Sequence, residues 1–533
     1  MIMPEYVSLI STMLKSRLEQ FISVDILFSS RFSKTIRCLT ALMLFILLDI
    51  PAMHGQSAGD YRTNGNAQFN TPGNWQVYDG TAWVAAATDP GLASGVITVR
   101  NGHTATVFSS ETLDQLIIEA GGTLRVNNWR NLNIGNGSEA FDLDVYGTVE
   151  NYNNIVLNPG AAIRFNDGSL YNHRLDGGNI PVATWSVNST CAIVGVETAL
   201  PSGLNQVFGN LTWNCPGQED DININANLEV RGVFTMANTG SRYLRVATTG
   251  SYTLNLGGYT QTGGRLNLAV GGFTCNFNLT GDFLFSGGNF LTSGSGIGNI
   301  NFQGPGIQTY TRTAGSFSNT RLNFTVFSGA ILDMGTSIIE VSGPFVAAAT
   351  FTLNDGGGLM LSDPYGITSA TTGASGGNIR VPGTRSFSSS ADYTYYGGVA
   401  QVTGDGLPST VRNFTVDNPA GVSLTGDLSV TGILTMQQGN ISTAGNDFIL
   451  SNSSASSLVY TSGTVVGGFE RFISQTMAGY LFPVGSSAST QSFNVSFTDL
   501  IPGSLLVRFI GGDPGDAGLP LTDGGSYTIT NQY

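Results

Sequence analysis

Short runs in which apolar and polar residues alternate recur along this chain of 533 residues, and glycine interrupts many of them. The order apolar-x-apolar-x-Gly-x-apolar occurs three times in close succession, at residues 228–234 (LEVRGVF), 254–260 (LNLGGYT, with threonine in the last position) and 277–283 (FNLTGDF). Alternation with a period of two predicts strands with one buried face. A repeat of roughly 20 to 30 residues is typical of a solenoid built from stacked coils.

The glycines of these runs, Gly232, Gly258 and Gly281, are 26 and 23 residues apart. We expect each glycine to mark a corner where one strand of a coil passes to the next. The apolar residues before it should point inward in a stacked column. The expected inward-pointing residues are Leu228, Val230, Leu254, Leu256, Phe277 and Leu279.

The same order returns at residues 143–149, 339–345, 422–428 and 428–434, and strand-glycine-strand text begins at Leu113. About 350 residues at roughly 23 per coil would make about 15 coils. No stretch after the first 55 residues keeps an apolar period of 3.6, so we expect almost no helix there. The sequence therefore predicts an all-β parallel β-helix.

The first 55 residues have the features of a secretory signal region. Arg31, Lys34 and Arg37 precede a short apolar run, residues 38–50 (CLTALMLFILLDI), and small or polar residues follow. The run is short for a membrane span, so we expect cleavage near Gly55 and no membrane span afterwards. An uncleaved anchor is the alternative.

Residues 56–110 form a predicted N-terminal cap or entry module. It contains Trp75, Trp83 and an Asn101-Gly102 pair, which signals a hairpin or a tight corner. The two tryptophans either close the open end of the solenoid or form a platform for stacking a sugar; closure is the preferred interpretation, because an uncovered terminal coil exposes its core and strand edge.

Residues 111–460 carry the β-helix repeats, and residues 368–390 within them are expected to form a long loop or an irregular coil. From residue 461 to 533 the sequence pattern changes and predicts longer alternating strands, which resemble a compact β-sandwich-like segment. The chain stops at Tyr533 within an apparent strand, so we expect this last segment to be incomplete.

Composition narrows the functional classes. Glycine accounts for 71 residues, and charged residues for only 11%, with a net charge of −14. This acidic balance argues against nucleic acid as a partner. The only lysines are Lys15 and Lys34, so a chain cleaved near Gly55 has no catalytic lysine.

Three cysteines follow the signal region: Cys191, Cys215 and Cys275. Cys191 and Cys215 are 24 residues apart, about one coil, and strands in adjacent coils lie roughly 4.8 Å apart. A disulfide between these two is one hypothesis. Three buried free thiols are the alternative.

Candidate chemistry is sparse. His103 and His173 lie far apart in sequence, and we expect both to occupy turns. We expect Trp185 and Trp213 to occupy interior or shoulder positions of the coils. Two acidic clusters stand out, residues 219–221 and a loop group of Asp513, Asp516 and Asp523. We expect the first to be a solvated corner and the second a surface loop, with calcium binding as its alternative.

No recognised catalytic, nucleotide-binding or metal-binding motif occurs. We therefore predict no catalytic, cofactor-binding or metal-ligating residue, no cofactor, and no enzymatic activity.

Several phrases resemble large secreted surface proteins of Bacteroidetes. They are the entry text with ITVRNGHTATV, the coil text NLTWNCPG, the phrase NFTVDNPAGVSLTGDLSVTGILTMQQGNIST, and the later motifs GGFERFI and YLFPVG. The resemblance implies a right-handed parallel β-helix exported by type IX secretion, usually with a C-terminal sorting domain. No sorting domain follows Tyr533, so we expect a truncated reading frame.

These observations together predict a secreted or cell-surface β-helical protein that is structural or adhesin-like. Its expected partners are surface glycans or other cell-surface proteins. The alternative is a polysaccharide-acting β-helix enzyme, a lyase or glycoside hydrolase, or a glycan-binding module. Four or more acidic and arginine side chains converging in one groove would favour the enzyme.

Overall fold

The computed structural model describes residues 55–318, 321–342, 349–369 and 376–511, together with 521–522 and 528–529. The chain is nearly all β, with 47% strand and 1% helix, and forms a parallel β-solenoid of about 16 turns. The predicted all-β class, coil stacking and near absence of helix are confirmed. The predicted signal run, residues 38–50, lies outside the described residues.

One line of parallel strand pairing runs through almost the whole solenoid, and we call it the long ladder. Its strands are Ala67–Gln68, Thr104–Val107, Thr123–Val126, Thr148–Asn151, Leu170–His173, Thr190–Ile193, Asn210–Asn214, Leu228–Asn238, Tyr252–Gln261, Phe283–Phe285, Gly306–Arg312, Ala330–Asp333, Gly358–Leu361, Asp392–Tyr395, Asn413–Asp417, Leu434–Gln438 and Leu458–Tyr460.

Shorter ladders complete the coils. Those of the first coils are Tyr61–Thr63, Ile97–Val99, Leu116–Ile118, Leu143–Val145, Ile163–Phe165 and Thr184–Trp185, beside Glu111–Leu113, Asn131–Ile134 and Asn154–Leu157. Those of the middle are Val207–Phe208, Thr274–Leu279, Ile297–Phe302, Leu322–Val326, Thr350–Leu353 and Arg385–Phe387, beside Ile222–Asn223, Leu244–Ala247, Arg265–Val270, Asn289–Ser293, Ser316–Ser318 and Val341–Ser342. Those of the last coils are Gln401–Val402, Val422–Ser423, Ile441–Ser442 and Val465–Val466, beside Thr410–Val411, Leu428–Val430, Phe448–Leu450 and Gly468–Ile473.

Antiparallel pairing occurs near both ends of the solenoid. Tyr61–Thr63 pairs with Trp75–Tyr78, which in turn pairs with Trp83–Ala85. Gly468–Ile473 pairs antiparallel with Gly503–Arg508. The remaining elements are two antiparallel pairs, Tyr480–Phe482 with Phe493–Val495 and Leu521–Thr522 with Thr528–Ile529, and two single-turn 3₁₀ helices, Pro72–Asn74 and Ala455–Ser457.

The core is a set of stacked columns of apolar side chains. Leu228 is in register with Leu254 and Leu254 with Phe277, while Val230, Leu256 and Leu279 form the neighbouring column. All six predicted residues are buried, so this prediction is confirmed. Each burial removes apolar surface from water and is worth roughly 1.5–3 kcal/mol relative to an exposed side chain.

The bend at Gly232, Gly257 and Gly281 in the middle coils is called the central corner. Glycine has a different role there from the one predicted. Gly232 and Gly258 lie inside the continuous strands Leu228–Asn238 and Tyr252–Gln261, at a register shift. A Cβ atom on Gly257 would lie 2.0 Å from the carbonyl oxygen of Arg231, and one on Gly281 would lie 2.2 Å from that of Gly257. Glycine is therefore required by close approach of the preceding coil, and the residue under this constraint in the second run is Gly257.

The Asn101-Gly102 pair forms a tight corner. Gly102 has a φ of 76°, in the left-handed region that glycine adopts without strain. The strands on either side, Ile97–Val99 and Thr104–Val107, pair with the next coil and not with each other. Solenoid pairing thus extends into the residues assigned to the entry module.

Irregular pairing follows the Ser/Thr/Gly-rich stretch. Ile379 makes an isolated parallel bridge with Ile339, and Arg385–Phe387 pairs with Phe351–Leu353 of the preceding coil. Residues 370–375 lie outside the description. Within the described part of the chain, no helix is long and apolar enough to cross a membrane.

Candidate binding site

The predicted pair of entry tryptophans does not form a sugar platform. Trp75 is fully buried, packs against Phe69 at a ring-centroid distance of 5.1 Å, and donates its indole N–H to the carbonyl oxygen of Gln68 at 2.9 Å. Trp83 is partly exposed and lies beneath the Arg62 guanidinium. The platform hypothesis is wrong because one of its two rings is inside the core.

The later tryptophans are also interior. Trp185 stacks on Phe165 at 4.2 Å with nearly parallel rings, and its indole N–H donates to Gln206 Oε1 at 2.8 Å. Trp213 is buried in a different ladder and donates to Gln218 Oε1. The interior interpretation is confirmed, although the two rings belong to separate columns.

His173 is not at a turn as expected: it ends the strand Leu170–His173 and is part of a buried hydrogen-bond chain. Its Nε2–H donates to the carbonyl oxygen of Gly177 at 2.7 Å, so its Nδ1 accepts from the Tyr171 hydroxyl at 3.3 Å. Tyr171 in turn accepts from the Asn151 amide at 2.9 Å. Burial lowers the pKa of His173, which keeps the ring neutral. His103 instead contacts Thr63 Oγ1 near a turn.

The disulfide hypothesis is wrong. Cys191, Cys215 and Cys275 are all free and buried. In the parallel register Cys191 lies beside Leu211, four positions before Cys215. The Cys215 thiol donates to the carbonyl oxygen of Ile193. A spacing of one average coil therefore did not bring the two sulfur atoms together, because adjacent coils differ in length.

The first acidic cluster, residues 219–221, forms no metal site. Glu219 and Asp220 are exposed at a corner, while Asp221 pairs with Arg245 and accepts a hydrogen bond from the Tyr243 backbone N–H. The Asp513, Asp516 and Asp523 group lies outside the described residues. Among described residues, no three or more His, Cys, Asp or Glu side chains are placed to hold a metal ion.

Two of the clefts on the described surface can be compared with the groove expected of an enzyme. One, of about 390 Å³, lies over the central glycine corner, and Asp282 is the only charged residue that lines it. The Asp282 carboxylate already accepts a hydrogen bond from the Thr309 backbone N–H. The other, of about 480 Å³, includes Asp447, Glu470 and Arg508. Neither cleft gathers four acidic and arginine side chains.

A corner of the early coils carries the aromatic residue with the highest exposure in the described part of the chain. Trp129 is 88% exposed, and its backbone φ is 64°. It lies between Thr123–Val126 of the long ladder and Asn131–Ile134 of the neighbouring ladder. A bulky residue in the left-handed region is a genuine outlier, and it costs on the order of 1–3 kcal/mol.

The register of adjacent coils shows why Trp129 projects. Val107, Val126 and Asn151 are in register on the long ladder, and Asn131 is in register with Asn154 on the next ladder. Between these ladders the Trp129 coil has four residues, 127–130. The following coil has two, residues 152–153, and the preceding coil also has two before Ser110. Trp129 therefore lies in a two-residue insertion confined to one coil.

Other side chains extend this corner along adjacent coils. Phe108 of the preceding coil is 46% exposed, and Tyr152 of the following coil is half-buried. The Arg174 guanidinium lies 5.4 Å from the Tyr152 ring centroid. We call Phe108, Asn128, Trp129, Arg130, Tyr152 and Arg174 the Trp129 corner.

Amide and charged groups surround the aromatic rings. Asn153 donates to the carbonyl oxygen of Arg130 and to Asn131 Oδ1, both at 2.9 Å. Glu150 pairs with Arg125 at 2.7 Å and with Arg174 at 3.2 Å. These ion pairs are partly exposed, so they contribute little to stability but hold the guanidinium groups in place.

The pattern of the sequence does not single out Trp129. Its local text, NNWRN, contains no recognised motif. A usable signal was present in the coil lengths, since an insertion of two polar-flanked residues in one coil predicts a projecting loop. That signal requires the strand register, which the sequence did not provide.

The fold and this corner define a parallel β-solenoid with a projecting aromatic loop. No family model, curated protein or solved structure matches the chain.

Proposed function

We propose that the protein is a secreted or cell-surface β-solenoid that serves as a structural, adhesin-like scaffold without catalytic activity of its own. The observation that supports this proposal is the placement of charged side chains along about 16 coils, where arginines form ion pairs with carboxylates. Among the described residues, most arginine–carboxylate ion pairs join adjacent coils, and neither cleft gathers four acidic and arginine side chains. The pairs between adjacent coils are Arg125 with Glu150, Arg164 with Asp144, Arg245 with Asp221, and Arg412 with Asp392, while Arg380 pairs with Asp363 of its own coil.

The geometry of the Arg164 pair illustrates the point. Its Nε donates to Asp144 Oδ1 at 2.9 Å and its Nη2 to Oδ2 at 2.7 Å. Asn166 also donates to Asp144 Oδ1. A carboxylate held this fully by its neighbours is a poor general acid or base, since both oxygens are engaged.

We further propose that the antiparallel strands Trp75–Tyr78 and Trp83–Ala85 close the first coil. They lie at the edge of the ladder that begins with Tyr61–Thr63, where an uncovered parallel edge would offer unpaired backbone groups. Export by type IX secretion is part of the same proposal and rests on the resemblance described above.

Incubation with polysaccharides tests the absence of catalysis. The purified full chain would be mixed with pectin, alginate, xylan and β-glucan, with and without added calcium. Reducing ends and unsaturated uronic acid products would then be measured over time. We expect neither to rise above the level of a heat-denatured control. Sustained product release would overturn the scaffold proposal in favour of a lyase or hydrolase.

Surface exposure tests the proposed location. In the source cell, an epitope-tagged chain should be released by mild protease treatment of intact cells or found in the medium. Retention of the whole tagged chain in the soluble interior fraction would contradict secretion.

A further inference from the structure

We propose that the Trp129 corner binds a polysaccharide, with a sugar ring stacked on the Trp129 indole. The inference deepens the proposed adhesin-like function by naming its site and ligand class, and it rests on that function. Amide and guanidinium groups of Asn128 and Arg130 supply hydrogen bonds to hydroxyl or carboxylate groups of the sugar.

The first step of the argument is that the fold gains nothing from Trp129. The side chain is 88% exposed, so it adds almost no apolar burial. Its φ of 64° costs backbone energy that glycine or asparagine would reduce. The insertion that carries it is absent from the coils on either side. Strain and exposure at one residue of a regular fold indicate a functional constraint.

The second step concerns the kind of ligand. A stable protein interface needs about 800 Å² on each partner with an apolar centre. Here a projecting indole is surrounded by Asn128, Arg130, Asn131 and Asn153, which are polar. A flat aromatic face among hydrogen-bonding groups fits a sugar, because the ring presents C–H groups on its face and hydroxyls at its edge.

The third step is the arrangement along the solenoid. Phe108, Asn127 and Tyr152 follow one another in the register of three consecutive coils, at roughly 4.8 Å per coil, and Trp129 projects from the middle coil two residues after Asn127. This spacing is close to the length of one sugar unit, so a polysaccharide running along the axis can contact several rings. Arg130 makes no ion pair among the described residues, which leaves its guanidinium available to the ligand.

Binding to polysaccharides tests the inference. The full chain would be run by affinity electrophoresis through gels containing pectin, alginate, xylan or β-glucan, and pulled down with the insoluble forms. We expect retardation by at least one of these polymers, and Trp129→Ala should weaken that binding by about tenfold or more, as for an aromatic hot spot. Tyr365→Ala is the matched control, since Tyr365 is a 60% exposed aromatic elsewhere and its loss should leave binding unchanged.

A second variant separates binding from folding. Trp129→Gly should raise or preserve the thermal midpoint, because glycine accepts the positive φ, and should abolish binding. Arg130→Gln should weaken binding by roughly threefold, as expected for one hydrogen bond to a charged donor.

The inference is overturned if no polymer in the panel binds, or if Trp129→Ala and Trp129→Gly bind as the wild type does. The inference is also overturned if the Tyr365→Ala variant loses polysaccharide binding and the Trp129→Ala variant keeps it. These outcomes differ from failure of the scaffold proposal, which appears as product release whether or not Trp129 is required.

Discussion

The three thiols are single residues whose environment can be tested directly. Burial raises the pKa of Cys215 to about 12 and raises those of Cys191 and Cys275 further. The reactive thiolate is therefore scarce at neutral pH. We expect no labelling by iodoacetamide in the native protein and three labels per chain after cleavage of the signal region and unfolding in urea. Mass spectrometry under non-reducing conditions would check this, and a cysteine pair resistant to labelling in urea would contradict it.

His173 predicts a pH dependence of stability. Burial holds its pKa below the ordinary value of 6.5, the value expected in the unfolded chain. The unfolded chain therefore binds a proton more readily. Stability from the neutral ring is fully present above pH 6.5 and is lost as the pH falls from there towards the folded pKa.

The measurement is urea unfolding of the wild type and His173→Gln between pH 7.5 and 5. His173→Gln should be less stable at pH 7.5, because it breaks the chain to Tyr171, but should lose less stability on acidification. Titration of carboxylates affects the wild type and His173→Gln alike. If the free energy of unfolding changes equally with pH in the two proteins, His173 is not the titrating group.

At the scale of single residues, the alternating pattern was sufficient for the core. It placed Leu228, Val230 and their four partners inward, because a period of two on a half-buried strand leaves no other choice. It did not place Cys215 or Trp129, since both depend on the exact length of individual coils. The sequence likewise does not reveal which of two adjacent glycines, Gly257 or Gly258, lies close to the preceding coil.

The central corner gives an element-scale prediction with a control inside the same strand. Gly257→Ala should lower the free energy of unfolding by about 1–3 kcal/mol, because its Cβ would press on the Arg231 carbonyl and the coil must shift. At Gly258 the nearest atom to an added Cβ is 3.4 Å away, and its φ lies outside the left-handed region. Gly258→Ala should therefore change stability by less than about 1 kcal/mol. Equal effects in urea unfolding would refute close approach as the reason for glycine.

Asparagine ladders join the outer faces of the middle coils. Asn299 donates to Asn276 Oδ1 at 2.8 Å and accepts from Asn323 at 2.9 Å. A second ladder links Asn255, Asn278 and Asn301 in the same way. Each amide thus connects the coil before it to the coil after it, as in stacked polar ladders of other cross-strand arrays.

Asn299→Ala should lower the free energy of unfolding by about 1–2 kcal/mol, since it removes two hydrogen bonds at once. Asn223→Ala is the control, because Asn223 is an exposed strand residue with no side-chain hydrogen bond among the described residues. It should change stability by less than about 0.5 kcal/mol. A similar loss in both variants would mean that strand propensity, and not the ladder, is responsible.

At the scale of the whole molecule, the repeat length gave a useful estimate. About 15 coils were expected, and about 16 turns are present. The sequence could not show where parallel pairing changes to antiparallel. Gly468–Ile473 pairs in parallel with Phe448–Leu450 (FIL) and antiparallel with Gly503–Arg508 (GSLLVR), and neither short sequence marks the direction of pairing. Long-range pairing of this kind depends on the path of the chain and leaves little trace in local pattern.

The stacked coils also determine how the molecule responds to mechanical load. Each coil is bonded mainly to the coils before and after it, so tension applied at the chain ends should detach coils one or a few at a time. A coil of roughly 23 residues releases about 80 Å of contour length when it is drawn out. Optical-tweezer traces should therefore show a ladder of extensions near multiples of this value, whereas a single rip of the full length would contradict it. A tether with this behaviour extends stepwise under a sudden pull, and each step limits the peak force on the attached molecule.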